Sequence, residues 1–161
     1  MNLIPYDSTG IAERRSSRMY LPKELSDLFQ EAHFSDYPFV EIPQSFTDDR
    51  GSIDNLADGT LGDVALISSI KGAIRANHVH AQDWHFSYLV EGSMEYVWKD
   101  LDGKEKFTTG IKGQMLFTPP GIPHKMVFLE DSLFIAISAK NRSSENYEQD
   151  TTRLPSDFFI K

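Results

Sequence analysis

Cysteine is absent from the chain, which excludes disulfides, thiolate nucleophiles, iron–sulfur clusters and cysteine-ligated zinc. Any metal must be held by imidazole and carboxylate. Basic residues are in the minority: 16 Lys and Arg stand against 24 Asp and Glu, a formal net charge of −8 and a pI near 5.0. That balance argues against nucleic acid as a partner, because affinity for a phosphate backbone comes largely from basic patches that release counterions. Long apolar runs are also missing. No stretch approaches the ~20 residues that cross a bilayer, and the opening MNLIPYDSTGIAERRSSR lacks the hydrophobic core of a signal peptide. The expectation is a cytoplasmic protein with no membrane partner. With 161 residues and 40% apolar content, the chain suits one core and is short for two.

Over residues 21–32 the apolar positions Leu21, Leu25, Leu28, Phe29 and Ala32 recur at helical spacing, with Pro22 suited to a first turn. This predicts one short amphipathic helix in an N-terminal arm, residues 1–45. From Phe46 the texture changes to short β-branched and aromatic runs punctuated by Gly, Asp and Pro. VALISSI, HFSYLVEG, MEYVWKD, KFTTGI, QMLFTPPG, HKMVFLED and LFIAISA are the candidate strands, and the Asp-Gly within WKDLDGK marks a hairpin. About seven strands with no strand–helix alternation predict an all-β sandwich, barrel or jelly roll over residues 46–139. The tail, residues 140–161, is polar until Phe158-Phe159-Ile160, a triplet expected to pack on the barrel or on a partner subunit. Open edge strands favour pairing between copies, so a homodimer is expected.

Only five histidines occur, and His78, His80, His85 and His124 are clustered. Residues two apart on a strand share a face, so His78 and His80 in NHVH present two imidazoles to one ion. His85 follows the short connection AQDW. His124 follows TPPGIP, whose three prolines and glycine make a rigid turn that holds a ligand in place. His33, on the predicted helix, is read as an ordinary hydrogen-bonded histidine. All-imidazole sites suit iron, nickel, copper, zinc or manganese, so the residues alone do not choose among them.

These spacings resemble the cupin superfamily. Its first motif runs Gly, five residues, His-x-His, three or four residues, Glu, six residues, Gly. Here Gly72, AIRAN, His78-Val79-His80, AQDW, His85, FSYLVE and Gly92 fill those places. The second runs Gly, five residues, Pro-x-Gly, two residues, His, and is matched by Gly113, QMLFT, Pro119-Pro120-Gly121, Ile122-Pro123 and His124. The resemblance spans residues 51–138 and implies a cupin double-stranded β-helix, a jelly-roll barrel with its site inside. Two positions depart from the pattern: His85 replaces the usual Glu, and Phe128 replaces an Asn often found four residues after the second-motif His. An imidazole in place of a carboxylate leaves a bound ion's charge uncompensated, which strengthens it as a Lewis acid and anion trap.

A second resemblance concerns the deoxysugar-nucleotide cupins, the 3,5-epimerases and 3,4-ketoisomerases. Asp48-Asp49-Arg50-Gly51 looks like their Asp-x-Arg-Gly element and Arg75-Ala76-Asn77-His78 like their Arg-Gly-x-His, with Ala76 in place of Gly. That resemblance implies His78 as the base that removes a proton beside a sugar ketone. A metal-bound His has no lone pair left for that role, so the two readings of His78 exclude each other.

Three functions follow as expectations. The first is a metal-dependent enzyme, an isomerase, lyase or dioxygenase, acting on a small polar carbonyl- or hydroxyl-bearing substrate with a place in carbohydrate metabolism. It has one divalent transition metal ion, iron, manganese, zinc or nickel, on His78, His80, His85 and His124, with Arg75 and Tyr96 as the catalytic residues. The second is a metal-independent nucleotide-sugar isomerase or epimerase with His78 as general base. The third is a non-catalytic sugar-binding or structural cupin, since a fold does not fix a function. Trp84, Tyr88, Phe117, Met126 and Phe128 are read as pocket wall or, more commonly for such residues, barrel filling. Gln82 is read as a polar reach toward substrate or as surface. Arg14, Arg15 and Arg18 are read as a solvated basic run.

Overall fold

The computed structural model describes residues 38–40, 42, 44–57, 60–100, 102–141 and 143–160. The expected helix over 21–32, His33 and the arginines at 14, 15 and 18 lie outside the described residues. Those described form twelve strands and one helix: β1 (Phe39–Val40), β2 (Gln44–Asp48), β3 (Gly51–Asn55), β4 (Asp63–Ser69), β5 (Ile74–His80), β6 (His85–Glu91), β7 (Ser93–Lys99), β8 (Glu105–Ile111), β9 (Met115–Thr118), β10 (His124–Phe128), β11 (Ser132–Ser138), α1 (Ser144–Asp150) and β12 (Thr151–Arg153). Two five-stranded sheets face each other. One has the order β1-β9-β6-β11-β4, the other β12-β5-β10-β7-β8, and β2–β3 is a separate hairpin. Every pairing is antiparallel, as an all-β jelly roll requires.

Strand periodicity divides the apolar residues between two cores. Leu89, Met94, Tyr96, Trp98, Leu116, Met126, Phe128, Phe134 and Ala136 come from both sheets and fill the space between them. Val40, Trp84, Phe86, Met115, Phe117 and Ile137 form a second cluster. All but Trp84, which directly precedes β6, lie on strands of the first sheet, so this cluster covers its outer face. On β6 the alternation is explicit: Phe86 belongs to the outer cluster and Leu89 to the inner one. All four residues of β9 are buried because Met115 and Phe117 serve the outer core while Leu116 serves the inner. This is why MLFT reads as a continuous apolar run rather than an alternating one.

All seven predicted strands are present. The WKDLDGK hairpin is the β7–β8 connection, with Trp98 opposite Lys106 and Lys99 opposite Glu105. The tail is more ordered than its polarity suggests. It contains α1, then β12, which pairs with β5 through Thr151↔His80, Thr152↔Val79 and Arg153↔His78. The terminal aromatics lie on the same chain's barrel: the Lys99 ammonium is 4.0 Å from the Phe158 ring centre and that of Lys125 5.3 Å from Phe159. Ile160 is exposed. No helix among the described residues is long and apolar enough to cross a membrane.

Gly92, which closes the first histidine-bearing motif, joins β6 to β7 with φ +83°, and a Cβ there would lie 2.2 Å from Ser132 Oγ and 2.7 Å from the Asp131 carbonyl. Gly113, which opens the second, has a similar φ of +84° but nothing within 4 Å. Gly113→Ala should therefore cost about 1 kcal/mol for the left-handed backbone alone, and Gly92→Ala at least about 2 kcal/mol, because backbone must also move. Urea denaturation of the two variants checks the ranking, and equal losses would contradict it.

Candidate metal centre

Four elements converge on one end of the space between the sheets. β5 and β10 pair with His124 opposite His78, and the register shifts immediately beyond, where Lys125 faces Ala76. The slip is a bulge in β5. Ala76 and Asn77 are left-handed, with φ of 62° and 56°, and this re-aims the strand so that His78 and His80 both turn inward. The TPPGIP turn is tied to the same place, since Gly121 N donates to the His80 carbonyl at 2.7 Å. β6 brings His85 from the opposite sheet, opposite Thr118 of β9. All four histidines are buried and line one cavity of ≈ 140 Å³ with Arg75, Ser87, Tyr147 and an apolar wall that includes Ile67, Met126, Phe134 and Ala136.

The ring centres lie 4.4 Å apart for His78–His80, 4.8 Å for His78–His124 and 4.3 Å for His80–His85. His78, His80 and His124 each offer one nitrogen such that all three lie within 4.8 Å of one another. Three nitrogens on one ion at about 2.1 Å would be about 3 to 4 Å apart, so small side-chain adjustments suffice. His85 belongs to an overlapping set with His80 and Asp83, its Nε2 being 3.6 Å from Asp83 Oδ2.

The second nitrogens are held from behind. His124 Nδ1 donates to the Ile122 carbonyl at 3.0 Å. His80 Nδ1 meets Asp150 Oδ2 at 3.2 Å and Thr151 Oγ1 at 3.4 Å. His78 Nδ1 is 3.5 Å from the Tyr147 hydroxyl. For His80 and His124 a proton on Nδ1 leaves the Nε2 lone pair for a metal, the usual arrangement for imidazole ligands. Burial pushes the His124 imidazole down to about 4, against its bond to Ile122 and helped by charge on His80. It is neutral at neutral pH. An outwardly tethered imidazole triad is a donor set that fits a divalent transition metal.

Two carboxylates lie one layer out. Burial works to raise the Asp150 carboxyl, but hydrogen bonds from the Asp83 and Gln82 backbone and from Lys140 outweigh it and hold the group lowered. Asp83 is raised, chiefly by burial, against donors from the Lys140 and Trp84 backbone. The charge that His85 fails to supply is thus present behind the imidazoles, so the site is less starved of negative charge than the missing Glu implies.

The remaining candidates separate. Arg75 reaches the cavity rim and is fixed there by Nε to Ser69 Oγ at 2.6 Å and Nη2 to the Ser68 carbonyl at 2.7 Å. Tyr96 is fully buried, its hydroxyl 2.9 Å from Thr118 Oγ1 and its ring stacked 5.9 Å from His124. It backs His124 and does not line the cavity. Of the apolar and aromatic candidates, Met126 alone is in the wall, whereas Trp84 and Phe117 belong to the outer core and Phe128 to the inner. Gln82 is exposed and accepts from Lys140 Nζ at 2.8 Å. Asp48-Asp49-Arg50-Gly51 forms the tip of the β2–β3 hairpin, where Arg50 folds back onto Asp48, and it contributes nothing to the cavity lining. Tyr147, Asp150, Asp83 and Lys140 were not among the sequence candidates. The only signal for the first two was a Tyr and an Asp three residues apart.

No family model and no curated protein matches the chain. Solved structures do. The sugar 3,4-ketoisomerase QdtA from Thermoanaerobacterium thermosaccharolyticum in complex with TDP matches with TM-score 0.56 and 17% identity over 73% of this chain and 87% of that one. The dTDP-4-dehydrorhamnose 3,5-epimerase from Sulfolobus tokodaii matches at 0.58 and 18% over 75% and 78%, and a dTDP sugar isomerase from Desulfovibrio desulfuricans at 0.56 and 12% over 71% and 81%. At these identities the likeness is one of fold, and it bears out the expected cupin jelly roll.

Two outcomes follow from this geometry. A left-handed backbone costs an L-residue other than Asn or Asp about 1–2 kcal/mol, so Ala76→Gly should raise stability by about 1 kcal/mol after the entropy of the freer unfolded chain is deducted. An unchanged or lower urea midpoint would contradict the strained bulge. For His124 the folded state resists a proton that the unfolded chain accepts near 6.5. Metal-stripped protein should therefore be fully stabilised by this group above pH 6.5 and lose about 3 kcal/mol as pH falls to about 4. Denaturation midpoints across that window, compared with His124→Gln, check it. The variant should show the shallower dependence.

Proposed function

We propose that the chain is a metal-dependent enzyme acting on a small, polar, carbohydrate-related molecule that bears a carbonyl or hydroxyl group. The observation that carries this reading is the buried triad of His78, His80 and His124, with two of its outward Nδ1 atoms bonded to Asp150 and the Ile122 carbonyl. These three, with His85 beside them, would hold a divalent transition metal, which supplies Lewis-acid polarisation of a substrate oxygen. Arg75, anchored at the rim, binds an anionic group of the substrate and fixes which end enters. Ile67, Met126, Phe134 and Ala136 exclude water around the reacting end, while Ser87 and the Tyr147 hydroxyl offer hydrogen bonds to it. Tyr96 contributes by fixing the plane of the His124 ring rather than by touching substrate. The volume of ≈ 140 Å³ is below the ~300 Å³ at which pockets begin to enclose drug-sized ligands. It admits the reacting end only, and the rest of a larger substrate lies across the mouth.

A second reading, favoured by the structural likeness to nucleotide-sugar isomerases, is a metal-independent isomerase or epimerase in which His78 is the general base beside the Tyr147 hydroxyl. Metal analysis of tag-free protein separates the two. One equivalent of a transition metal is expected per chain, lost in His80→Ala and His124→Ala variants whose circular dichroism is unchanged. Turnover of 4-keto nucleotide-sugars should vanish on exhaustive chelation and return with the metal. Full metal retention in both variants would sink the first reading, and activity that survives chelation would establish the second.

A further inference from the structure

We propose that residues 144–153, α1 with β12, form a positioning element for the His-x-His pair, with Asp150 setting the ring of His80 and Tyr147 that of His78. In its bearing on metal affinity, this rests on the metal-dependent reading above.

Tyr147 and Asp150 are three apart on α1 and so share one face of the helix. Each reaches Nδ1 of a different histidine, and those histidines are two apart on one face of β5. Two spacings of different period are thus matched end to end. Immediately after α1, β12 pairs with β5 at His80, Val79 and His78 themselves, which locks the register between the two segments. Beyond β12, Leu154 N donates to the Asn77 carbonyl at 2.9 Å, and Asn77 Nδ2 donates to the Leu154 carbonyl at 3.0 Å. The bulge that turns His78 inward is therefore pinned by the same segment.

The direction of control is visible at Asp150. Its carboxylate accepts from Gln82 N at 3.0 Å, Asp83 N at 3.1 Å and Lys140 Nζ at 3.3 Å, and its carbonyl accepts from Ala81 N at 2.9 Å. Held from four other donors, it presents a fixed acceptor to His80 Nδ1. An imidazole facing a fixed acceptor keeps its proton on that nitrogen and its ring in one plane, which leaves Nε2 as the ligating atom. A strand clasp alone would require β12 but no side chain aimed at the histidine nitrogens.

The test uses the full chain with Asp150→Asn and Tyr147→Phe, and Lys112→Gln, an exposed residue between β8 and β9, as a control. Long-range proton–nitrogen spectra of metal-free protein report the His80 and His78 tautomers, and competition with a chromophoric chelator reports Zn2+ affinity. Asp150→Asn should shift His80 away from its Nδ1–H form and weaken Zn2+ binding about 10- to 100-fold. Tyr147→Phe should move the His78 nitrogen signals with a severalfold loss, and Lys112→Gln should change neither. An unchanged His80 tautomer with Zn2+ affinity within twofold of the parent would overturn the proposal. So would unmoved His78 signals in Tyr147→Phe if Asp150→Asn does not fold. Should the parent bind no Zn2+, the metal reading falls while the tautomers still decide the positioning role.

Discussion

The pairing of β5 with β10 is the constraint on which the rest depends. It sets His124 directly opposite His78, and in an antiparallel ladder opposed residues are close enough for their side chains to meet on one face. An uninterrupted ladder would carry the β5 side chains on in strict alternation. The bulge at Ala76 and Asn77 breaks it one residue before His78, so the two histidines of NHVH and the histidine of β10 share one pocket. Ala76, with φ of 62°, bears backbone strain there that a glycine would not. Strain of this kind persists only where surrounding structure over-determines it, and here the over-determination comes from the hydrogen bonds between Asn77 and Leu154.

Charge explains the next layer. Three neutral imidazoles are a donor set without negative charge, and a buried divalent ion among them would need compensation nearby. Asp150 supplies it at one remove, kept ionised by Lys140 and two backbone donors, and Asp83 lies beside His85. A carboxylate in this outer position orients the ring and adds negative potential without occupying a coordination place. The substitution of His85 for the usual Glu therefore moves charge outward more than it removes it.

What was legible in the sequence was what depends on local pattern. Seven strands, the β7–β8 hairpin and the four histidines all follow from period-two alternation, turn chemistry and spacing within single segments. β1 and β12 are two and three residues long, too short for any periodicity to register. Asp150 could not be read because its role is created by contacts with Gln82 and Asp83, distant in sequence, and with Lys140 beyond the start of α1. Tyr147 lies in a polar stretch with no apolar partner at helical spacing, so nothing announced α1. Tyr96 shows the converse: a polar tip on a core strand suggested reach toward substrate, yet Thr118 on the facing sheet takes its hydroxyl.

On the proposed function, the position of Arg75 would constrain how a substrate is oriented. Two of its donors are spent on Ser69 and the Ser68 carbonyl, both at the end of β4, so the guanidinium is a fixed fixture of the rim rather than a mobile arm. A guanidinium held this way binds an anion with little entropic cost, because its rotamer is already chosen. The cavity it lines joins the four histidines, Ser87 and Tyr147 to an apolar wall that includes Ile67, Met126, Phe134 and Ala136. On the proposed function, an anionic group at the rim and a carbonyl or hydroxyl at the histidines would belong to the two ends of one molecule. On the proposed function, Arg75 would select by charge which molecules enter and by position which end reaches the imidazoles, a division of labour that the spacing of motifs along the chain does not encode.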